Sequence, residues 1–317
     1  MTRVAIFTDE IGWHTRQLQA ALRARGAQGR CVDLADCRID LTAGWHGLAI
    51  PGFGGALPDA ALVRGIAGGS FEQVTKRLGI LHALRELGVP VYNDARAIER
   101  SVDKSMTSAL LHAQGVPTPA AWAIESQAEA ERLVMRESAA GRALVLKPLF
   151  GSQGKGLVRV GCVDGEHMPL PPLSGFGQLA YLQRYVAPLH HVAGKDASSH
   201  DWRVLVIGGT ARAAMQRVST HWIHNVAQGA KVVRAMLTPE LAHVAQRAAQ
   251  ALGMDYAGVD LIPTASEPQV LEVNGVAAWQ GLQRVTDFNL AQAIVDDLLE
   301  RRLGGATAQA EQGARRA

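Results

Sequence analysis

Three cysteines in 317 residues are too few for a disulfide-built scaffold. Cys31, Cys37 and Cys162 show no metal-ligand pair spacing and leave one thiol over from any disulfide, so neither a structural zinc nor a disulfide is expected. Charge of one sign is also scarce. A net charge of +3 excludes a general nucleic-acid or membrane surface, and any basic patch should be local to a site. No window approaches 18 uninterrupted apolar residues, and the first ten residues lack the pattern of a cleaved leader, so a cytoplasmic protein is expected. There is no Gly-Lys-Ser/Thr opening a helix, as a P-loop needs, and no GxGxxG. Gly52-Phe53-Gly54-Gly55 follows a strand-like run, but its spacing is wrong for a dinucleotide site and no helix opens on its last glycine. What remains, 48% hydrophobic and 19% charged, is an ordinary folded chain long enough for two domains or one with an insertion.

The most informative stretch runs from Ala143 to Val160. Two aliphatic runs, Ala143 to Leu146 and Leu157 to Val160, flank a turn punctuated by Gly151, Gly154 and Gly156, which predicts a hairpin with a basic tip. Glycines let backbone approach a ligand closely, and successive N–H groups in such a turn can form an anion-binding concavity, to which Lys155 adds charge. Lys147 directly follows a buried strand, where an ammonium costs several kcal/mol to desolvate unless a counter-charge meets it. A nucleotide phosphate chain would meet it.

Arg3 to Thr8 reads as a strand, Thr15 to Arg25 as a helix ended by Gly26, and Leu48 to Pro51 as a further buried strand, an α/β start with a parallel sheet. Phe71, Val74, Leu78, Leu81, Leu84 and Leu87 form a helical stripe, followed by a short strand from Val89 to Tyr92. Ala95 to Gln114 reads as one helical stretch carrying Lys104. A second helix starts at Ser126 with Glu129 as a capping box. The segment Val163 to Gly177 reads as a loop, and Tyr181 to Val186 as a strand. Gly208-Gly209 joins two runs, Asp201 to Ile207 and Ala211 to Val218, in a strong hairpin signal. Pro239 to Leu252 is a helix closed by Gly253, Gly258 to Ile262 and Pro268 to Gly275 are paired strands, and Phe288 to Arg302 is a closing helix.

Strand alternation puts Glu272 and Asn274 on one face, and pairing with the neighbouring strand would bring Asp260 beside them. Two carboxylates brought together in an apolar sheet repel unless a cation lies between them. Oxygen ligands without histidine or cysteine select magnesium or manganese, completed by water and phosphate.

Phosphate hairpin, strand-embedded lysines and metal carboxylates together resemble the ATP-grasp superfamily. The runs Gly69 to Arg77, Val102-Asp103-Lys104, Lys147-Pro148 with Gly151 to Gly156, Asp201-Trp202-Arg203, Asn225 with Gln228-Gly229, Gly258-Val259-Asp260 and Leu271 to Asn274 resemble, in order, the α-L-glutamate ligases of that superfamily. The resemblance implies an α/β fold with a Rossmann-like pre-ATP-grasp domain over residues 1–93. A central subdomain (94–186), a metal-bearing subdomain (187–303) and a disordered tail (304–317) would follow. It implies an ATP-dependent carboxylate–amine ligase using Mg2+ or Mn2+, with L-glutamate and a carboxylate acceptor as small-molecule substrates and a homo-oligomer as a possible assembly. By the same resemblance, Lys104, Lys147 and the turn Gly151, Ser152, Gln153, Gly154, Lys155 and Gly156 contact phosphates. Gln183, Arg184, Tyr185 and Val186 line the adenine pocket, and Asp201 belongs to the nucleotide site. Asp260, Glu272 and Asn274 hold the metal, while Arg203, Arg217 and Asn225 serve substrate and phosphate.

One position departs from the pattern. Where family members commonly carry an arginine two residues before the asparagine, this chain has Ile223, which donates neither hydrogen bond nor charge. His224 or a neighbouring arginine substitutes, or the contact is missing. For the acceptor, Gly12 to His14, Gly52 to Gly55, Arg64 and the loop Ser219 to Ala230 are the candidate determinants, with Arg64, Arg77, Arg203, Arg217 and Arg284 as candidate carboxylate binders. The Gly69 to Leu84 run is more similar to the pterin-cofactor glutamate ligases than to the ribosomal-protein ligase, which favours a small cofactor as acceptor.

Overall fold

A computed structural model describes residues 1–304 apart from 43, 152, 188 and 190–197. Ser152 and the tail from 305 onward, for which disorder was expected, therefore lie outside the described residues.

The chain opens with β1 (Arg3–Phe7), α1 (Trp13–Ala24), β2 (Gln28–Val32), the two-residue strands β3 (Arg38–Ile39) and β4 (Leu48–Ala49), β5 (Ala60–Val63), α2 (Phe71–Glu86) and β6 (Val91–Tyr92). Strands β2, β1, β5 and β6 form a parallel sheet in that order. Leu48–Ala49 is not in it but pairs antiparallel with β3, correcting the sequence expectation. The strand beside β1 is β5, four fully buried residues whose short unbroken apolar run has no period to mark it. Ser70 and Gln73 form a reciprocal capping box at α2. The buried face of α2 is also rotated from the expected stripe: Phe71 is 83% exposed, whereas Arg77, Ile80, Leu81 and Leu84 are buried. Arg77 spends its guanidinium on the carbonyls of Ala67 and Gly68.

The expected single helix after β6 is two helices, α3 (Ala95–Val102) and α4 (Lys104–Ala113). Asp103 breaks them because its carboxylate accepts from the N–H groups of Ser105 and Met106, capping a new helix. Lys104 thereby becomes the first residue of α4.

The central sheet contains β7 (Ala121–Ile124), β8 (Ala143–Lys147), β9 (Val158–Val163), β10 (Glu166–Met168) and β11 (Ala180–Arg184), in the order β10-β9-β8-β11-β7, with α5 (Gln127–Ala139) inserted after β7. The hairpin β8–β9 is as expected, but part of the segment taken for loop forms β10 and a 3₁₀ turn, Leu173–Phe176. Ser126 caps α5 through Glu129 N, the serine half of the expected box. Helix α5 packs Ala130, Leu133 and Val134 against Leu144, Leu146, Val160 and Leu182, so the alternating residues Val145, Lys147 and Gln183 are left for the opposite face.

The third sheet, β14-β13-β12-β15-β16, is antiparallel throughout and contains β12 (Ser199–Ile207), β13 (Thr210–Ser219), β14 (Lys231–Arg234), β15 (Tyr256–Ile262) and β16 (Gln269–Asn274). Helix α6 (Pro239–Leu252), capped by Thr238 and closed at Gly253 as expected, covers one face and buries Val204, Val206, Val259, Leu261 and Val273. The chain ends in α7 (Gln280–Gln283), α8 (Leu290–Asp297) and a π-type continuation, Leu298–Leu303. Leu205, Ile207, Tyr256 and Trp279 share a core with β1 and α1, so the first and third sheets pack together. Buried Asn93 joins them: its amide donates to the carbonyls of Tyr256 and Gly275 and accepts from the N–H groups of Asp255 and Tyr256.

Candidate active site

The charged residues of the third sheet form two cross-strand rows. Glu272, Asp260 and Arg203 are directly opposed across β16, β15 and β12, and Asp201 is opposed to Arg217 across β12 and β13. Period-2 alternation keeps 201 and 203 on one face. Arg203 forks onto Asp260 with both contacts at 2.7 Å, Arg217 forks onto Asp201 at 2.7 and 2.5 Å, and Arg217 also reaches Asp260 at 3.1 Å. Arg217 thus lies between Asp201 and Asp260, and Arg203 is a second counter-charge for Asp260. Burial opposes ionisation of Asp260, but Arg203 and Arg217 outweigh it and hold its carboxyl below the usual value. At Asp201 burial wins, and its carboxyl is pushed up against the pull of Arg217.

Facing this sheet, β8 presents Lys147, which donates to Gln183 Oε1 at 2.6 Å and has no carboxylate within 4 Å among the described residues. Burial drives its ammonium down to about 8, against the pull of Glu272 and Asp260. Lys104, set at the start of α4 by the Asp103 cap, donates to Gly151 O (2.8 Å) and lies 3.7 Å from Glu272. Two ammonium groups therefore converge where the glycine turn meets the carboxylates.

That turn rests on the loop following β13. Gly154 (φ +68°) is so close to Ile223 that an added Cβ would approach its Cγ2 to 2.9 Å, and Gln228 donates to Gln153 O (3.2 Å). Asn225 caps the turn Val226–Gln228 through Ala227 N. Ile223 brings an apolar contact and no charge. Its neighbour His224 does not replace the missing cation: it is buried, bonded to Ser199 Oγ at 2.8 Å, and held down to about 4 by burial and then by Arg217, so it is neutral at neutral pH. The neighbouring arginine, Arg217, is buried and already paired with Asp201 and Asp260.

A cavity of ≈ 120 Å³ brings together Lys147, Gly154, Gln183, Arg184, Tyr185, Val186, Asp201, Arg217, Asn225, Asp260 and Glu272. Arg203, Lys104 and Asn274 flank it through the contacts above, Asn274 donating to Gly258 O at 3.3 Å, which leaves its carbonyl oxygen for a cation. Gly151, Lys155 and Gly156 lie on the turn, and the Lys155 side chain is exposed. The Arg184 side chain is paired with Glu137 (2.9 Å). Leu271 was missed: a bulge opposite Asp260/Leu261 removes it from the ladder and lets it line the cavity beside Glu272, which strict alternation forbids. Trp222 was also missed; it stands edge-on to Tyr185, with Arg159 over both rings, and its only sequence signal is an aromatic in a polar loop. Two carboxylates and one amide oxygen suit a magnesium-like ion that takes its remaining ligands from phosphate and water. Among the described residues no cluster of three acids, histidines or cysteines forms a self-sufficient metal site.

Residues 101–298 match the RimK-like ATP-grasp domain and residues 2–98 the RimK PreATP-grasp domain. The chain belongs to the RimK-like ATP-grasp ligase family. Within it, the chain is 32% identical to the tetrahydromethanopterin:alpha-L-glutamate ligase of Methanocaldococcus jannaschii, over 76% of this chain and 79% of that one. It is 28% identical to a probable alpha-L-glutamate ligase of Legionella pneumophila, over 89% of each. The ATP-grasp ligase PsnB, solved with a minimal precursor, Mg and ADP, superposes with TM-score 0.69 over 94% of this chain and 96% of its own, at 20% identity. D-alanine–D-alanine ligase from Bacillus anthracis, complexed with ATP, gives 0.64 over 98% and 100%, at 16%. The fold and the family resemblance read from the sequence are thereby borne out.

Proposed function

We propose that this ATP-grasp ligase activates a carboxylate with ATP and joins it to the amine of L-glutamate. The observation that carries this reading is Lys147: a half-buried ammonium whose partner is a neutral amide, facing two carboxylates and a glycine turn across a small cavity. Such a group calls for an anion. In this reading the acceptor carboxylate takes the γ-phosphoryl group to give an acylphosphate and ADP, and glutamate's amine displaces phosphate to form the amide. Phosphoryl transfer asks for positioning and charge neutralisation rather than a protein nucleophile. Lys104 and Lys147 would bind phosphate oxygens, backbone N–H groups of the glycine turn would cover them, and the segment 183–186 would hold the base. Asp260, Glu272 and Asn274 would hold Mg2+, which supplies further neutralisation of phosphate charge. Arg217, paired with Asp201 and Asp260, would lend positive charge to the reacting groups without binding the acceptor carboxylate itself.

The acceptor reading is a small carboxylate-bearing cofactor, as the name of the Methanocaldococcus relative states for that protein. The arginines proposed for it divide on contacts. Arg77 is committed to loop carbonyls, and Arg203 and Arg217 to carboxylates. Arg64 lies over the Trp279 ring and donates to Val276 O, two residues beyond Asn274, while His14 accepts from the N–H groups of Trp279 and Gln280. Arg64 is therefore the acceptor-side candidate nearest the metal strand. No described helix is long and apolar enough to cross a membrane, and we read the protein as a cytoplasmic enzyme.

The test is phosphate release with ATP, Mg2+, L-glutamate and a panel of carboxylate acceptors. Release that requires both glutamate and one acceptor is expected. Tight ATP binding with no acceptor-dependent release would instead describe a nucleotide-binding regulator.

A further inference from the structure

We propose that Arg203 is the built-in counter-ion of Asp260 and competes with a divalent cation for it, so that cation and nucleotide phosphates bind as a coupled pair. This rests on the proposed assignment of Asp260 to the nucleotide-bound cation.

Arg203 occupies both oxygens of Asp260 at 2.7 Å in the planar fork geometry that favours arginine over lysine. The two residues are cross-strand neighbours, so the pairing is built into the β12–β15 register. Both side chains are enclosed, at 14% and 6% exposure. Arg217 also touches Asp260, but it has a carboxylate of its own in Asp201. Arg203 does not: among the described residues Asp260 is the only carboxylate within 4 Å of it. A cation arriving alone on Asp260 would leave Arg203 enclosed and unpaired, a costly state. The other acid of the set is similarly engaged, with Glu272 lying 3.7 Å from Lys104. A ligand that brings phosphate oxygens together with the cation supplies the acceptor that the displaced guanidinium lacks. Cation and nucleotide must then tighten each other by the same factor.

The experiment is titration of Mn2+ into the full chain, followed by electron paramagnetic resonance, with and without ADP. Wild type should bind Mn2+ weakly alone and more tightly with ADP. Arg203→Met removes the competitor but keeps an apolar stem, so it should tighten Mn2+ binding in the absence of ADP by roughly tenfold or more and shrink the enhancement by ADP correspondingly. Arg203→Lys, which keeps the charge but loses the fork, should move in the same direction by less, and it decides the matter if the Met variant fails to fold. Unchanged or weaker Mn2+ binding without ADP in a folded Arg203 variant overturns the competition. Asp260→Asn separates this from the underlying assignment. It should abolish the ADP enhancement, and Mn2+ binding indifferent to Asp260→Asn with and without ADP would remove the cation from Asp260 and the proposal with it.

Discussion

Lys147 on β8 reaches across the ladder to Gln183 on β11 at 2.6 Å, an ammonium held by a neutral amide inside the protein. Its proton is accordingly loose, with burial bringing it down to about 8 from an ordinary 10.5. Phosphate binding needs the charged form, so nucleotide affinity should be level below about pH 7 and fall as pH rises through about 8. For the folded state the sign is opposite: holding the charged ammonium costs stability below the folded value, and the cost is relieved as pH rises from there toward 10.5. Calorimetric ADP titration in Mg2+ from pH 6.5 to 9.5 checks the binding claim. A flat profile, or one unchanged in Lys147→Met, would contradict it.

Glu272→Gln removes one negative charge opposite Asp260 and little volume. Loss of most turnover, roughly a hundredfold or more, is expected with the thermal midpoint of the unliganded protein within a few degrees of wild type. Protection by ATP and Mg2+ against thermal unfolding should become weak. Near-wild-type turnover would displace the metal from this strand face.

Gly154→Ala adds a Cβ at φ +68°, directed at Ile223 Cγ2. The strain is about 1 kcal/mol, and the greater effect should be on closure of the turn over phosphate. Nucleotide affinity should fall several-fold more than stability does. Equal wild-type affinity would show that the turn and the Ile223 loop do not need this contact.

Glu137 lies under the segment 183–186, holding Arg142 and Arg184 at 2.6 and 2.9 Å. Its hydrogen bond from Arg142, opposed by burial and helped by Arg184, takes it from 4.5 down to about 2. Its contribution is therefore present above about 4.5 and is lost as pH falls toward 2. Glu137→Gln should cost roughly 2 kcal/mol at pH 7, and urea unfolding at pH 3 should show the gap narrowing. A gap that persists undiminished would mean the charge is not what stabilises this corner.

Much of this was legible where a local rule operates. Gly208-Gly209 marks its hairpin because tight turns need positive φ, and the 239–252 helix carries both end signals. Glu272 and Asn274 share a face because nothing interrupts their alternation; one residue earlier, the bulge at Leu271 does, and no local signal announces it. Asp103 looked like a helix-interior residue because its capping role depends on the chain turning there. The pairing of Arg203 with Asp260 depends on the register of strands 57 residues apart, so the sequence could pose the repulsion of the carboxylates but not its internal solution. The neutrality of His224 likewise follows from its burial and from Arg217 beside it, neither of which the sequence displays.

Incubating the protein with ATP, Mg2+, isotopically labelled L-glutamate and a small-molecule extract, followed by mass spectrometry, tests the central claim most directly. The account expects label in a small product heavier than its precursor by one glutamate residue or by successive ones, appearing only when ATP is consumed. Label confined to protein, or ATP consumption with no labelled product, would contradict it.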